Sequence, residues 1–113
     1  MIMTEAAYRE GAEWLDQLML YLANNKNIFL RALKSINKVK VFDLESTYLA
    51  WVDFSKLNIT EAELKKMLVK EAGIAPSFGD GFGKASGKFA RFNIACRTEI
   101  LELAIDRLLK TFL

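Results

Sequence analysis

The segment GKFARFNIAC, residues 87–96, places a guanidinium group within a stretch that otherwise has the composition of a buried β-strand. Successive side chains of a strand point to opposite faces of the sheet. One face of this strand is wholly apolar and comprises Ala90, Phe92, Ile94 and Cys96. The opposite face carries the polar groups and comprises Phe89, Arg91, Asn93 and Ala95. Arginine is rarely buried unless it is paired, so the second face is expected to meet either water or an anionic group.

The chemistry that suits Arg91 is recognition of a carboxylate. A planar guanidinium can hold a carboxylate through two parallel hydrogen bonds, and a strand presents it from a rigid support. The flanking Phe89 and Ala95 are apolar, which is unusual for a generally solvated surface. The competing interpretation is a strand face open to water, on which Arg91 and Asn93 would both be ordinary.

Other chemistries find little support in the residues. The chain has no histidine, which excludes a self-contained Ser-His or Cys-His hydrolase. The glycine-rich segment at residues 74–88 fails the Walker A pattern, because Phe78 occupies the first glycine position and Ala85 the hydroxyl position. This segment is therefore predicted to be a tight loop beside the Arg91 strand. Because no carboxylate pair suits acid–base catalysis and Cys96 is expected to pack on the apolar face, we predict no catalytic residue and no metal site.

Composition limits the kinds of partner and the cellular location that the sequence favours. The 113 residues suffice for one core, and the net charge of +2, spread along the chain, does not favour nucleic acid as a partner. Cys96 is the only cysteine, so no internal disulfide can form and a cytoplasmic location is expected. No apolar run is long enough to span a membrane. The hydrophobic fraction of 52% indicates either a very full core or apolar surface that something else covers.

Apolar periodicity predicts that the N-terminal third is helical. One helix is expected from Thr4 to about Asn24. A break or a kink is expected at Asn24, Asn25 and Asn27, and a second helical apolar stripe should continue to Ile36.

The remainder of the chain is predicted to alternate strands and helices. The strands are expected at residues 39–42, 47–54 and 88–96. The strand at 47–54 is apolar enough to be covered on both faces. Thr60 and Glu63 form a capping box that begins a helix, Gly73 should end it, and Thr98 should cap the last helix.

These elements predict an α+β fold, in which a small and mainly antiparallel sheet of three to four strands packs against helices. Residues 1–37 would form a helical segment that leads into a domain made by residues 38–113. The order of elements is helix, helix, strand, strand, helix, loop, strand, helix.

Four stretches occur in an order and at spacings that match a known family. They are YREGAEWLDQLMLYLANN from Tyr8, STYLAWVDF from Ser46, Gly79 with Phe82-Gly83, and FARFNIAC from Phe89. Together they resemble the C-terminal, small domain of class I/II, fold type I enzymes that use pyridoxal 5'-phosphate (PLP), and in particular the cystathionine β-lyase-like MalY/PatB group of C–S lyases. The sequence departs from the family pattern at Arg97, where a proline is common, and at Ser77-Phe78, where a more polar pair is expected.

The resemblance implies roles for three residues in substrate binding. Arg91 would bind the α-carboxylate of an amino-acid substrate, Asn93 would steady the local geometry, and Tyr48 would lie on a strand that borders the active site. It also implies PLP as the cofactor of a full-length, homodimeric parent, which would be an aminotransferase or a C–S lyase of amino-acid metabolism. The Schiff-base lysine and the phosphate-binding loop of the family lie upstream of the matching part, so no residue here is assigned to cofactor binding.

The chain is therefore expected to be a fragment that lacks a large PLP-binding domain, and in isolation to be inactive and to bind no cofactor. Such a missing domain would also explain the hydrophobic excess. The alternative is a stand-alone, non-catalytic α+β interaction module whose apolar surface forms homo-oligomers. Transamination and β-elimination are not distinguished, because both chemistries share this domain and differ through residues elsewhere.

Overall fold

Four α-helices and one four-stranded sheet make up the fold, which a computed structural model describes from Met1 to Leu113. The helices are α1 (Ile2–Glu10), α2 (Ala12–Lys34), α3 (Glu61–Lys66) and α4 (Thr98–Phe112). The strands are β1 (Lys40–Val41), β2 (Leu49–Asp53), β3 (Ser77–Phe78) and β4 (Phe89–Asn93). The predicted α+β class with a small antiparallel sheet is confirmed.

The sheet has the order β1-β2-β4-β3, and every neighbouring pair is antiparallel. Alternation along β2 and β4 divides the sheet into two unlike faces. On the face that packs against the helices, Ala50, Val52 and Ala90 are fully buried. On the opposite face every β2 side chain is only half-buried. The prediction that this strand is covered on both faces is therefore wrong for the chain described here.

The core lies between the buried sheet face and helices α2 and α4. Aromatic rings tie the layers together: Phe92 of β4 lies 5.5 Å from Phe29 of α2 between ring centroids, and Phe54 lies 5.3 Å from Phe112 of α4. The apolar stripe of α4 buries Leu101, Ile105 and Leu108 at helical spacing. Because Ala90 and Phe92 of β4 pack against the helices, the alternate residues, including Arg91, project from the opposite face of the sheet.

Helix α2 runs through the asparagines at which a break was predicted, and the chain instead breaks at Gly11, between α1 and α2. Asn25 is fully buried, and its side-chain amide nitrogen donates to the carbonyl oxygens of Ile94 at 3.0 Å and Cys96 at 2.9 Å. The side-chain oxygen of Asn25, Oδ1, accepts a hydrogen bond from the Thr98 hydroxyl at 2.8 Å. Asn25, which was predicted to interrupt the helix, is thus a helical residue whose side chain hydrogen-bonds the segment that follows β4.

The capping box of Thr60 and Glu63 is present at the start of α3, as predicted. The helix then widens into a π-helical turn, Met67–Glu71, and the positive φ of Gly73 (+68°) occurs just beyond it. The predicted loop at residues 74–88 contains an unpredicted strand, β3. Thr98 does not act as a side-chain cap for α4, because its hydroxyl is directed to Asn25.

The N-terminal helices extend away from the core. Helix α1 contributes no buried residue, and the buried residues of α2 begin only at Asn25. The molecule is consequently elongated, with principal extents of 51 × 28 × 23 Å. No helix is both long enough and apolar enough to cross a membrane.

Candidate functional site

Arg91 lies in the middle of the open sheet face. Strand β4 runs between β2 and β3, and Arg91 pairs with Trp51 on one side and Ser77 on the other. Directly paired residues of antiparallel strands project from the same face, so these three side chains form a row across three strands. The glycine-rich loop and the strand that follows Tyr48 therefore flank Arg91.

The Arg91 guanidinium is held by neutral groups and makes no ion pair within the chain. One terminal nitrogen, Nη2, donates to the Ser77 hydroxyl at 3.4 Å, and the guanidinium carbon lies 4.8 Å from the centroid of the Phe82 ring. The Nε atom is buried and has no hydrogen-bond partner. A positive charge is thus partly desolvated with no carboxylate beside it, which is the arrangement expected of an anion-binding group.

Aromatic rings continue from Arg91 across the open face. Phe82 contacts Trp51 edge-on, with centroids 5.7 Å apart and an interplanar angle of 86°. Trp51 stacks on Phe89 at 5.4 Å, and Phe89 stacks on Phe42 at 6.4 Å. We call Phe42, Phe89, Trp51 and Phe82 the aromatic row. Its Phe82 and Trp51 end lies beside Arg91 and covers one side of the guanidinium, although no second layer covers this face.

The loop segment that carries Phe82 is anchored at its start by two contacts. It forms a short 3-10 turn, Gly79–Phe82, whose Asp80 makes an ion pair with Lys65 of α3. The hydrogen bond and charge of Lys65 hold the pKa of the Asp80 carboxyl below its ordinary value. A Cβ at Gly79 would lie 1.9 Å from the carbonyl oxygen of Ser86, so only glycine permits the loop to close on itself here.

Asn93 and Tyr48, the other predicted substrate-binding residues, lie near the end of β4. The side-chain oxygen of the exposed Asn93 accepts from the backbone N–H of Ala95 at 2.9 Å. Tyr48 immediately precedes β2, and its carbonyl oxygen accepts from the Ile94 N–H at 2.9 Å. The Tyr48 side chain is 44% exposed. These bonds tie the two residues to the same end of the sheet as Ile94, and neither side chain is hydrogen-bonded to Arg91.

Sequence reasoning missed the residues that touch Arg91, namely Ser77, Trp51 and Phe82. The identity of cross-strand neighbours depends on strand register, which the sequence did not specify. Ser77 was predicted only as a loop residue, because a two-residue strand gives no detectable alternation. The one available signal was the aromatic Phe82 within the glycine-rich segment beside the Arg91 strand.

The residues of this chain suit a carboxylate and not the PLP cofactor itself. None of the lysines is buried, whereas a Schiff-base lysine requires an enclosed site. Burial raises the pKa of the Cys96 thiol, which disfavours the thiolate nucleophile. No group of three or more histidine, cysteine, aspartate or glutamate side chains is placed to hold a metal ion.

Comparison with known proteins identifies enzymes that are similar to this chain in sequence and in structure. The chain is 32% identical over 105 residues to the cystathionine beta-lyase PatB of Bacillus subtilis and 36% identical over 108 residues to a cystathionine beta-lyase of Corynebacterium glutamicum. An LL-diaminopimelate aminotransferase of Protochlamydia amoebophila is 30% identical over 103 residues. Among solved structures, cystalysin from Treponema denticola, which contains a pyridoxal 5'-phosphate cofactor, superposes with a TM-score of 0.87 at 27% identity.

The chain is homologous to the C-terminal domain of fold type I PLP-dependent enzymes. The predicted resemblance to the MalY/PatB group is thereby confirmed. The alignments cover 92% of this chain for PatB, 96% for the Corynebacterium lyase and 95% for cystalysin. The chain spans only 27%, 28% and 27% of those proteins, respectively. No protein-family model matches the chain.

Proposed function

We propose that this chain is the C-terminal domain of a PLP-dependent aminotransferase or C–S β-lyase, in which Arg91 binds the α-carboxylate of the amino-acid substrate. The observation that carries the proposal is the unpaired guanidinium, half-buried on a rigid strand with its Nε atom desolvated. A charge in this state gains more from an incoming carboxylate than a solvated one does, because the cost of removing its water has been met in folding.

The contacts of Arg91 define how a carboxylate would approach it. Nε is covered, so the two terminal nitrogens are the donors that remain available, and they match the two carboxylate oxygens. The bond from Nη2 to Ser77 measures 3.4 Å, which is long for a hydrogen bond and therefore weak. A carboxylate can take over that donor at little cost, while Ser77 keeps the nitrogen oriented in its absence.

The surrounding aromatic rings strengthen this binding. Phe82 and Trp51 exclude water from one side of the guanidinium, which lowers the local dielectric and strengthens a charge-assisted hydrogen bond. A substrate held by its carboxylate on a stiff strand is oriented for reaction, which is an entropic contribution to catalysis. PLP, when bound, supplies electron withdrawal from the amino acid, and the rest of the longer protein would provide its site.

Asn93 and Tyr48 are proposed to support the substrate site. The Asn93 bond to Ala95 fixes the turn that follows β4, and the Tyr48 carbonyl fastens the start of β2 to Ile94 of the same turn. The Tyr48 bond limits movement of the end of β4 relative to β2, whereas the Asn93 bond is local to the turn. The partly exposed Tyr48 ring is proposed to border the bound amino acid.

The remaining parts of the proposal concern the longer protein. We propose that a larger PLP-binding domain accompanies this chain and that the complete enzyme is a homodimer. The cytoplasmic location expected from the single cysteine stays a prediction. A stand-alone interaction module would account for the exposed apolar residues, but it gives no reason for a desolvated and unpaired Arg91.

Replacement of Arg91 by lysine in the full-length protein tests the proposed function. Lysine keeps the charge but loses the paired donors, so kcat/KM for amino-acid substrates should fall by about tenfold to a hundredfold. PLP content, read from cofactor absorbance, should not change. Arg31→Lys, at an exposed position on α2, is the matched control and should have no effect. Normal kinetics in Arg91→Lys would refute the carboxylate assignment.

A further inference from the structure

Phe82 is a large apolar residue whose position has no explanation in the packing of the core. Its side chain is 53% exposed, and it lies on the open sheet face, away from the buried cluster. An exposed ring on a loop normally adopts several orientations, because little holds it. Here the ring covers the guanidinium of Arg91, at 4.8 Å from centroid to guanidinium carbon.

The arrangement compensates for an unfavourable feature of Arg91. A buried donor without a partner, such as its Nε, is destabilising because the lost hydration is not replaced. The electron-rich face of an aromatic ring attracts a cation, and the attraction increases when the cation is desolvated. Phe82 thereby offsets part of the penalty without neutralising the charge, which a carboxylate at the same place would do.

Several contacts hold Phe82 in this position. Trp51 meets the ring edge-on, in the orientation that aromatic quadrupoles favour. The Lys65–Asp80 ion pair fastens the 3-10 turn to α3, and the close approach of Gly79 to Ser86 shapes the loop behind it. These contacts belong to different elements, so the ring is fixed from more than one direction.

We propose that Phe82 is a positioning residue, which holds the Arg91 guanidinium in the orientation that receives a substrate carboxylate. This inference rests on the proposed function of Arg91 as the carboxylate-binding group. The ring restricts rotation of the guanidinium before the ligand arrives, so less conformational freedom is lost on binding. It also keeps water from competing for the terminal nitrogens on the covered side. Loss of the ring should therefore weaken binding of the carboxylate and leave the remainder of the ligand unaffected.

The test compares two ligands that differ only in this group. The dissociation constants of L-alanine and L-alaninamide are measured on the full-length holoenzyme from the change in cofactor absorbance. Phe82→Leu should reduce the preference for the acid over the amide by about fivefold to tenfold, through weaker binding of the acid alone. Phe82→Tyr keeps the ring and should retain the preference of the wild type. Phe42→Leu makes the same substitution at the far end of the aromatic row, away from Arg91, and should also retain it.

The outcomes separate this inference from the proposed function. If Arg91→Lys leaves the preference unchanged, Arg91 does not bind the carboxylate and both proposals fail. If Arg91→Lys reduces the preference and Phe82→Leu does not, the inference about Phe82 alone is overturned. Equal weakening of the acid and the amide in Phe82→Leu would indicate general damage to the site and would also overturn it.

Discussion

At the scale of single residues, Asn25 of helix α2 and Arg91 of strand β4 differ in how their buried side-chain nitrogens are satisfied. Asn25 is fully buried, and both ends of its amide are satisfied by Ile94, Cys96 and Thr98. Arg91 keeps a buried nitrogen unpartnered. The first arrangement stabilises the fold. In the second, Nε is covered, and the terminal nitrogens are the donors that we propose receive a ligand. Residue type alone did not distinguish them, because both depend on what the tertiary structure places nearby.

Removal of the Asn25 amide should destabilise the fold. Asn25→Ala would leave the Ile94 and Cys96 carbonyls without this donor, at a cost of about 2 kcal/mol in the free energy of unfolding. Asn24→Ala changes the exposed neighbour on the same helix and should cost less than about 0.5 kcal/mol. Urea denaturation of the 113-residue chain compares the two variants. Similar losses for both would show that the buried amide contributes nothing specific.

Residue-scale prediction succeeded where alternation along one strand was sufficient. The apolar face of β4 is buried at Ala90, Phe92 and Ile94, as its two-residue period predicts. The partners of Arg91 could not be predicted in the same way, since Trp51 and Ser77 belong to other strands and meet it only through the register. The sequence therefore identified the cation of the candidate site, Arg91, but it did not identify the side chains that surround it.

At the scale of elements, local capping chemistry predicted the start of α3 correctly, but it failed at Thr98, whose hydroxyl bonds Asn25 instead of capping α4. The capping box begins α3 because the Thr60 and Glu63 side chains satisfy each other's backbone N–H groups. The Asn-rich segment failed as a predictor because tertiary hydrogen bonds outweigh the low helix propensity of asparagine. Strand β3 was not predicted for a different reason. Its two residues are too few to show an alternating pattern, and they are stabilised by pairing with β4.

The anchoring of the Gly79–Phe82 turn to α3 should depend on pH. The pKa of Asp80 is lowered in the folded chain by Lys65, so its contribution to stability is present above the ordinary carboxyl range and is lost as pH falls through the lowered value. Asp80→Asn should therefore be less stable than the wild type near neutral pH, and the difference should vanish in acid. Thermal unfolding of both proteins across this range measures it.

A matched substitution controls for the loss of a surface charge. Asp16→Asn removes an exposed carboxylate of α2 that makes no ion pair, and it should leave the melting temperature at neutral pH nearly unchanged. A constant difference between Asp80→Asn and the wild type at every pH would contradict the proposed role of the ionised carboxylate.

At the scale of the whole molecule, two surfaces are more apolar than a free-standing chain requires. One is the open sheet face with its aromatic row. The other lies along α1 and the first turns of α2, where Tyr8, Trp14 and Leu20 are 89%, 67% and 74% exposed. An apolar depression of about 360 Å³ lies at the α1–α2 junction. The sequence indicated this excess through composition, but it could not locate it, because the same residues would fit a full core.

Homology explains why such surfaces would persist. The alignments cover nearly all of this chain but only about a quarter of each relative. We propose that a larger domain packs against part of the apolar surface. In that context the open face bearing Arg91 would form one wall of a substrate site, and the other walls would come from the larger domain. We propose that this arrangement forms the substrate site.

A crystal structure of the full-length holoenzyme with a bound amino acid tests this claim most directly. Both terminal nitrogens of Arg91 are expected to lie about 2.7–2.9 Å from the oxygens of the ligand α-carboxylate. The Phe82 ring is expected to remain over the guanidinium. The contrary result is a carboxylate bound by other residues, while Arg91 contacts only Ser77 and Phe82.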